Sequence, residues 1–270
     1  MTISVITATY NRPQQLYTVA FNSLLNQTDH NFEWVVINDG CNQQTREMIA
    51  TLQAPFPIAY VEIEHSSTGF GLCYARNAGL NLATGSLITY LDDDNSFERE
   101  FICATKHFFQ QHGFVKYSMA IQKRRRDVVL QHKTIRSSKI FTSPSNSFCT
   151  LDNLISQQEI FDSNGFTHVH NSTPKWNPKY QIFADYEFLL QCTKEYGNST
   201  FKLHPQVLVN YIQSSGGTIG RSHYGQWAAE LKQILQDSSV YLLQPSHIAQ
   251  LGQLAQAYHC KALERPPAFV

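Results

Sequence analysis

Apolar positions in the first hundred residues of this chain alternate between short β-branched runs and stretches with helical spacing. Ile3 to Thr9 reads as a buried strand. Leu16 to Leu25 follows with Leu16, Ala20, Leu24 and Leu25 on one helical face, and Pro13 stands near its start, where a missing N–H costs little. The same rhythm predicts strands at Trp34 to Asn38, Ile58 to Ile63 and Ser86 to Leu91, with helices around Thr45 to Leu52 and Leu72 to Leu82 between them. Strand and helix alternating at this spacing imply a mostly parallel sheet covered by helices. Ligands on such sheets bind at the C-terminal strand ends. Asn11, Asp39 and Asp92 all fall at those ends, so polar groups converge on one edge.

Beyond Glu100 the pattern is less regular. A helix is predicted from Phe101 to Gln111 and a strand from Phe114 to Ile121. The basic run Lys123 to Arg126 reads as a turn leading into a strand at Val128 to His132. Residues 142 to 180, rich in Ser, Asn, Thr and Pro, read as loops with short elements. A helix from Asp185 to Tyr196, a strand from Gln206 to Gln213 and a mobile glycine-rich loop from Ser214 to Gly220 follow. Helices near Tyr224 to Gln236 and Ser246 to Leu263 complete the pattern. With no internal repeat, the expectation is one domain over 1–222, with halves 1–100 and 101–222, and a helical extension over 223–270.

Hydrophobic residues make up 42% of the 270 and charged residues 16%, a globular balance that excludes disorder. Twenty-one basic and 21 acidic residues cancel, so bulk charge gives no reason to expect a nucleic-acid partner. The six cysteines contain no C-x-x-C pair and read as reduced thiols of a cytoplasmic protein. Neither a signal peptide nor a spanning segment is evident, so a membrane-bound substrate would be met from the surface.

The chemistry centres on Asp92-Asp93-Asp94, which follows the apolar strand Leu87-Ile88-Thr89-Tyr90-Leu91. Adjacent carboxylates repel one another, which a solvated turn tolerates but a site near the core does not without a cation. Asp92 and Asp94 project the same way if strand geometry persists, and their hard oxygens suit Mg2+ or Mn2+.

Several segments, in order and at matching spacing, make the chain similar to the family 2 glycosyltransferases. They are Val5-Ile6-Thr7-Ala8-Thr9-Tyr10-Asn11-Arg12-Pro13, Ser23-Leu24-Leu25-Asn26-Gln27-Thr28, and Phe32-Glu33-Trp34-Val35-Val36-Ile37-Asn38-Asp39-Gly40. Gly71 with Ala75-Arg76-Asn77-Ala78-Gly79, and Ala83-Thr84-Gly85 leading into the aspartates, complete the set. The resemblance implies a GT-A (Rossmann-like) α/β fold and inverting transfer from a nucleotide-diphosphate sugar, most simply a UDP-sugar. It places Thr7, Ala8 and Tyr10 around the base, with Tyr10 stacking on it. Asp39 would accept the base's imide N–H, although Asn38-Asp39-Gly40 also reads as a turn. Arg76 would reach the base or hold the carboxylates. Asp92 and Asp93 count among the donor contacts, and Asp94 with Asp92 would hold the metal.

Phe183-Ala184-Asp185-Tyr186-Glu187 resembles the family's later acidic motif, with Ala184 where a Glu usually stands and Asp185 at the general base. Asp185 fits a helix N-cap equally well. The segment Tyr211 to Arg221 resembles one that often carries a His near the metal. Ser214 or Ser215 stands at that place here, so Arg221 and His223 are the candidate diphosphate or metal contacts. Trp176 is a candidate sugar-stacking platform or a core residue. The acceptor implied is a glycan or a lipid-linked sugar, reached with peripheral contact at the inner face of the membrane. Lys123 to Arg126 is either a lipid-docking run or a solvated hairpin.

Other readings compete. Gly69-Phe70-Gly71 opens a dinucleotide-like pattern, but Tyr74 stands at its third glycine. A sugar-1-phosphate nucleotidyltransferase would need a Gly-rich, basic loop after the first strand, which is missing. A sugar-nucleotide-binding module without turnover would be consistent with Ala184 and the missing His. His168 and His170 lack a zinc-protease spacing.

Overall fold

The computed structural model describes residues 1–131, 133–170 and 174–264. Ten strands form one mixed sheet: β1 (Ile3–Thr9), β2 (Phe32–Asp39), β3 (Ile58–Ile63), β4 (Leu87–Tyr90), β5 (Ser96–Phe97), β6 (Tyr117–Leu130), β7 (Lys133–Ser137), β8 (Phe141–Ser143), β9 (Phe166–Val169) and β10 (His204–Ser214). The order is β3-β2-β1-β4-β9-β6-β10-β5, with β7 and β8 paired to β6. Strands β1 to β4 run parallel, β9 is antiparallel to both β4 and β6, and β10 is parallel to β6. The C-terminal ends of β1, β2, β4, β6 and β10 therefore share one edge.

The strands β1 and β2 are buried throughout because both faces are covered. Ile6, Ala8, Val35 and Ile37 face one core cluster, and Ile3, Val5, Trp34 and Val36 face the other. The first helical segment, residues 13–25, includes a π-helical stretch at Leu16–Phe21. A π turn holds an extra residue, which brings Phe21 into the core beside Ala20 and leaves Leu25 only partly covered. Uniform 3.6-residue spacing had assigned Leu25 to that face. The helices Gln43–Thr51, Gly71–Leu82 and Phe101–Gln111 lie close to their predicted places.

The basic run is not a turn. Lys123 to Arg126 lie inside the 14-residue strand β6, because each charge has an acceptor at hand, Arg126 donating to Gln213 Oε1 at 3.3 Å. Lys123 pairs with Glu98 at 2.8 Å and Arg125 with Asp127 at 2.9 Å. Arg124 is buried, donates to Gln122 at 2.7 Å and stacks on Tyr211 at 3.8 Å. The chain reverses at Gln131 instead, where φ is +46°; the predicted strand end His132 lies outside the described residues.

The C-terminal helices Tyr224–Gln236 and Pro245–Glu264 share the first core cluster through Leu231, Ile234, Leu251 and Ala255. Among the described residues, no helix is long and apolar enough to cross a membrane.

Candidate active site

Strand β1 and the residue just past it bring Thr7, Ala8 and Tyr10 to the edge with different roles. Thr7 is buried, and its hydroxyl accepts from Trp34 Nε1 at 2.9 Å; Ala8 faces the opposite cluster. Tyr10, just past the strand end, is exposed and stacks on His65 with ring centroids 4.2 Å apart. His65 Nδ1 sits 2.8 Å from Asp39 Oδ2, while Asp39 Oδ1 is buried and has no partner among the described residues. An orphaned carboxylate oxygen is costly unless a ligand donor meets it. The surrounding glycines are required by this crowding. A Cβ on Gly71 would lie 2.8 Å from His65 Cε1 and 2.9 Å from Asp39 Oδ2. Gly40, at φ +83°, closes under Tyr10 where a Cβ would lie 2.9 Å from its ring.

The three aspartates separate into distinct environments. Asp93 points inward and is fully buried, accepting from Thr9 Oγ1 at 2.7 Å and pairing with Arg12 at 2.7 Å. Burial pushes its carboxyl up to about 7 against the pull of Arg12. Asp94 is partly exposed and binds the other arm of Arg12 at 2.7 Å. Burial raises the Asp94 carboxyl above the usual range despite Arg12, and the charge of Asp92 adds to the rise. Asp92 accepts from Arg76 Nη2 at 2.8 Å and from Asn164 Nδ2 at 2.8 Å, and its own N–H donates to Asn164 Oδ1 at 2.7 Å.

Arg76 unites the site. Only 2% exposed, its guanidinium lies 4.2 Å over Trp176 and 5.5 Å from the Tyr90 ring. Its second arm donates to Asp185 Oδ1 at 2.7 Å. A rigid planar fork can hold two carboxylates at once, which a lysine cannot. Of the two roles expected for Arg76, the structure gives it the holding of carboxylates. Trp176 is consumed in this support: it is buried and stacked on Phe188 at 4.1 Å, so it offers no free face to a sugar.

Asp185 is not an N-cap. Phe183 occupies that position of the helix Ala184–Tyr196 and brings no side-chain acceptor. Glu230, from the C-terminal helices, accepts instead from the backbone N–H groups of Gln181, Ile182 and Phe183 at 2.9–3.1 Å. Such N–H groups otherwise go unpaired at a helix start. Burial raises the Asp185 carboxyl above its ordinary range, Arg76 restrains it, and the charges of Asp162 and Asp92 push it further up.

Arg221 ends the short helix Thr218–Arg221 and is exposed. His223 caps the next helix, its Nδ1 accepting from the Gly225 N–H at 3.1 Å. Among the described residues neither bonds to the aspartates. Four contributors went unrecognised in the sequence: Arg12, His65, Asn164 and Glu230. Arg12 stood within a quoted segment, but its reach to Asp93 and Asp94 had no local signal. Asn164 lies in the stretch read as loop.

A sequence profile of the family described as glycosyl transferase family 2 matches residues 4–173. A PGL/p-HBAD biosynthesis glycosyltransferase of Mycobacterium bovis is 26% identical over 221 residues, covering 79% of this chain and 77% of that protein. GlyA, a glycosyltransferase of Streptococcus pneumoniae, is 34% identical over 101 residues, or 37% of this chain and 14% of GlyA. Matches to uncharacterised glycosyltransferases of Rickettsia bellii and Nostoc span only 16% and 29% of those relatives. In structure the chain resembles S. aureus TarS 1–349 in complex with UDP-GlcNAc, with TM-score 0.67, 15% identity, and coverage of 96% of this chain and 72% of that one. The fold is thus GT-A, and the chain belongs to glycosyl transferase family 2.

Proposed function

We propose that this chain transfers a sugar from a UDP-sugar to a hydroxyl of a glycan or lipid-linked acceptor, with inversion and with Asp185 as general base. The observation that carries this reading is the double grip of Arg76, which ties the donor carboxylate Asp92 to Asp185 across one buried guanidinium. The UDP-GlcNAc bound to the similarly folded TarS supports the choice of donor.

The uracil imide N–H would meet the free Oδ1 of Asp39, with the ring against Tyr10. Because His65 already engages Oδ2, a single acceptor is available, which suits the one imide N–H of uracil better than the paired donors of guanine. Asp185, raised by burial, takes the proton from the acceptor hydroxyl as its oxygen attacks the anomeric carbon. Arg76 holds that carboxylate in place and limits the rise.

Among the described residues, no group of three or more His, Cys, Asp or Glu forms an all-protein metal cage. Mg2+ and Mn2+ sites completed by a substrate diphosphate need only one or two carboxylates. Asp94, partly exposed and crowded by the charge of Asp92, has the donor chemistry for such an ion, with Asp92 beside it. A bound divalent ion supplies positive charge to the departing diphosphate. The reading is tested by thermal shift with UDP-, GDP-, CDP- and dTDP-sugars, with and without Mn2+. Stabilisation by UDP-sugars above the others is expected. No nucleotide-dependent shift would overturn it, and binding without any turnover would reassign the chain as a binding module.

A further inference from the structure

Strand β6 does not stop with its neighbours. Thr89 of β4, Thr167 of β9 and Ser118 of β6 lie side by side, yet β4 ends at Tyr90 while β6 runs on to Leu130. Its far end and β7 form a hairpin beyond the same edge that carries the aspartates. This hairpin leaves large aliphatic side chains in water: Val128 is 43% exposed, Leu130 60%, Ile135 62%, and Ile140 just after it 66%.

Charge is concentrated here as well. Residues 123–140 hold seven of the chain's 21 Lys and Arg residues and one of its 21 Asp and Glu residues, an excess of six in a chain of zero net charge. Lys123, Arg124 and Arg125 are answered by Glu98, Asp162 and Asp127. Arg126, Lys133, Arg136 and Lys139 have no carboxylate partner among the described residues. Register decides how these groups are arranged. Val128 faces Arg136 across the ladder and Leu130 faces Lys133, while Ile135 is the extra residue at the register shift. Cross-strand partners share a face and alternate residues along a strand share it too. Arg126, Val128, Leu130, Lys133 and Arg136 therefore form one surface of mixed aliphatic and cationic character.

We propose that this surface docks the chain on an anionic lipid bilayer. Unanswered cations alone would suit any soluble polyanion. The exposed aliphatic side chains interleaved with them gain nothing from such a partner but do gain from the boundary between headgroups and acyl chains. Each cation near an anionic membrane strengthens association by roughly fivefold. Docking here sets the edge bearing Asp92 and Asp185 against the membrane surface. A lipid-linked acceptor would lie there, a consequence that rests on the transferase reading whereas the docking itself does not.

The test is co-sedimentation of the full chain with vesicles of phosphatidylcholine alone and with about one third phosphatidylglycerol, at low and high salt. Binding more than about tenfold stronger to the anionic vesicles, and weakened by salt, is expected. Lys133→Glu with Arg136→Glu removes that preference, and Leu130→Ser with Ile135→Ser weakens binding while leaving its salt dependence. Equal binding to both vesicles, or variants that bind like the parent, overturns the proposal. So does a parent dimer in solution that the same variants turn into monomers with no change on vesicles. The UDP-induced thermal shift is measured on each preparation. A chain that responds to UDP but ignores vesicles defeats the docking alone, and one that binds vesicles without responding to UDP defeats the donor reading alone.

Discussion

Replacing Arg76 by Met removes a charge that two carboxylates share while keeping an unbranched chain between Trp176 and Tyr90. The guanidinium makes charge-assisted hydrogen bonds of 2.7 Å to Asp185 and 2.8 Å to Asp92. Breaking a fully buried ion pair costs about 3–5 kcal/mol. Asp92 and Asp185 keep 27% and 30% of their side-chain surface in water. Solvent therefore recovers part of the loss, and about 3 kcal/mol is expected. For a chain of this size that lowers the melting temperature by roughly 6–12 °C. A second effect is kinetic. As the proposed base, Asp185 acts only when ionised, so activity is expected to fall as pH drops through its raised pKa. Without Arg76 that pKa rises further and the acid limb of kcat/KM moves to higher pH. Arg76→Lys keeps the charge but reaches one carboxylate at a time, and should lie between the two. Calorimetric melting and initial rates from about pH 5 to about pH 9 measure both effects. An Arg76→Met protein that melts within about 2 °C of the parent and keeps its acid limb would refute the argument.

Other outcomes follow from the same geometry. Asp185→Asn should abolish transfer and leave UDP affinity within about twofold, measured by calorimetric titration; retained transfer would remove Asp185 from the base role. Glu230→Ala should destabilise the chain by about 1–2 kcal/mol and lower kcat more than it alters donor KM, because it loosens the start of the helix bearing Asp185. Equal effects on both parameters would argue for a purely structural role. His65→Phe keeps a ring against Tyr10 but frees Asp39 Oδ2, so UDP binding should weaken by about fivefold and the preference over GDP should narrow. Unchanged preference would dismiss His65 as a selector. Burial lowers His168 and His204 to about 4, whereas the unfolded rings titrate near 6.5. The unfolded state then binds more protons between those values, so stability falls as pH drops from about 6.5 to about 4, by on the order of 3 kcal/mol per ring. Urea midpoints at about pH 7 and about pH 4.5 check this, and His204→Gln should lessen the fall.

The strand-and-helix order of the first hundred residues was legible because its signals are local. Apolar runs bounded by Asn11, Asp39 and Asp92 mark strands whose C-terminal ends share one edge, and the aspartates follow their strand directly. What escaped depends on chain segments far apart in sequence. Arg12 finds Asp93 and Asp94 only when β1 lies beside β4. Asn164 finds Asp92 through β9, within a polar stretch that has no periodicity to read. Lys123 to Arg126 look like a turn because strand propensity disfavours charge, and acceptors distant in sequence or added by neighbouring strands, Glu98, Asp162 and Gln213 with Gln122 and Asp127, make an extended course possible there. Trp176 could be read either way, and the neighbouring ring of Phe188 decided it for the core.

The long strand β6 has a mechanical consequence. Its inner half is clamped between β9 and β10, and the ladder with β10 persists as far as Asp127. Only the last few residues overhang, so the hairpin behaves as a short cantilever built into the sheet. Its tip cannot swing as a loop would, and whatever seats on it meets the edge bearing Asp92 and Asp185 at a fixed height and tilt. Lengthening that overhang by two residues per strand preserves side-chain facing and raises the tip by about 7 Å, which turns the distance between docking surface and Asp185 into an adjustable dimension of the molecule.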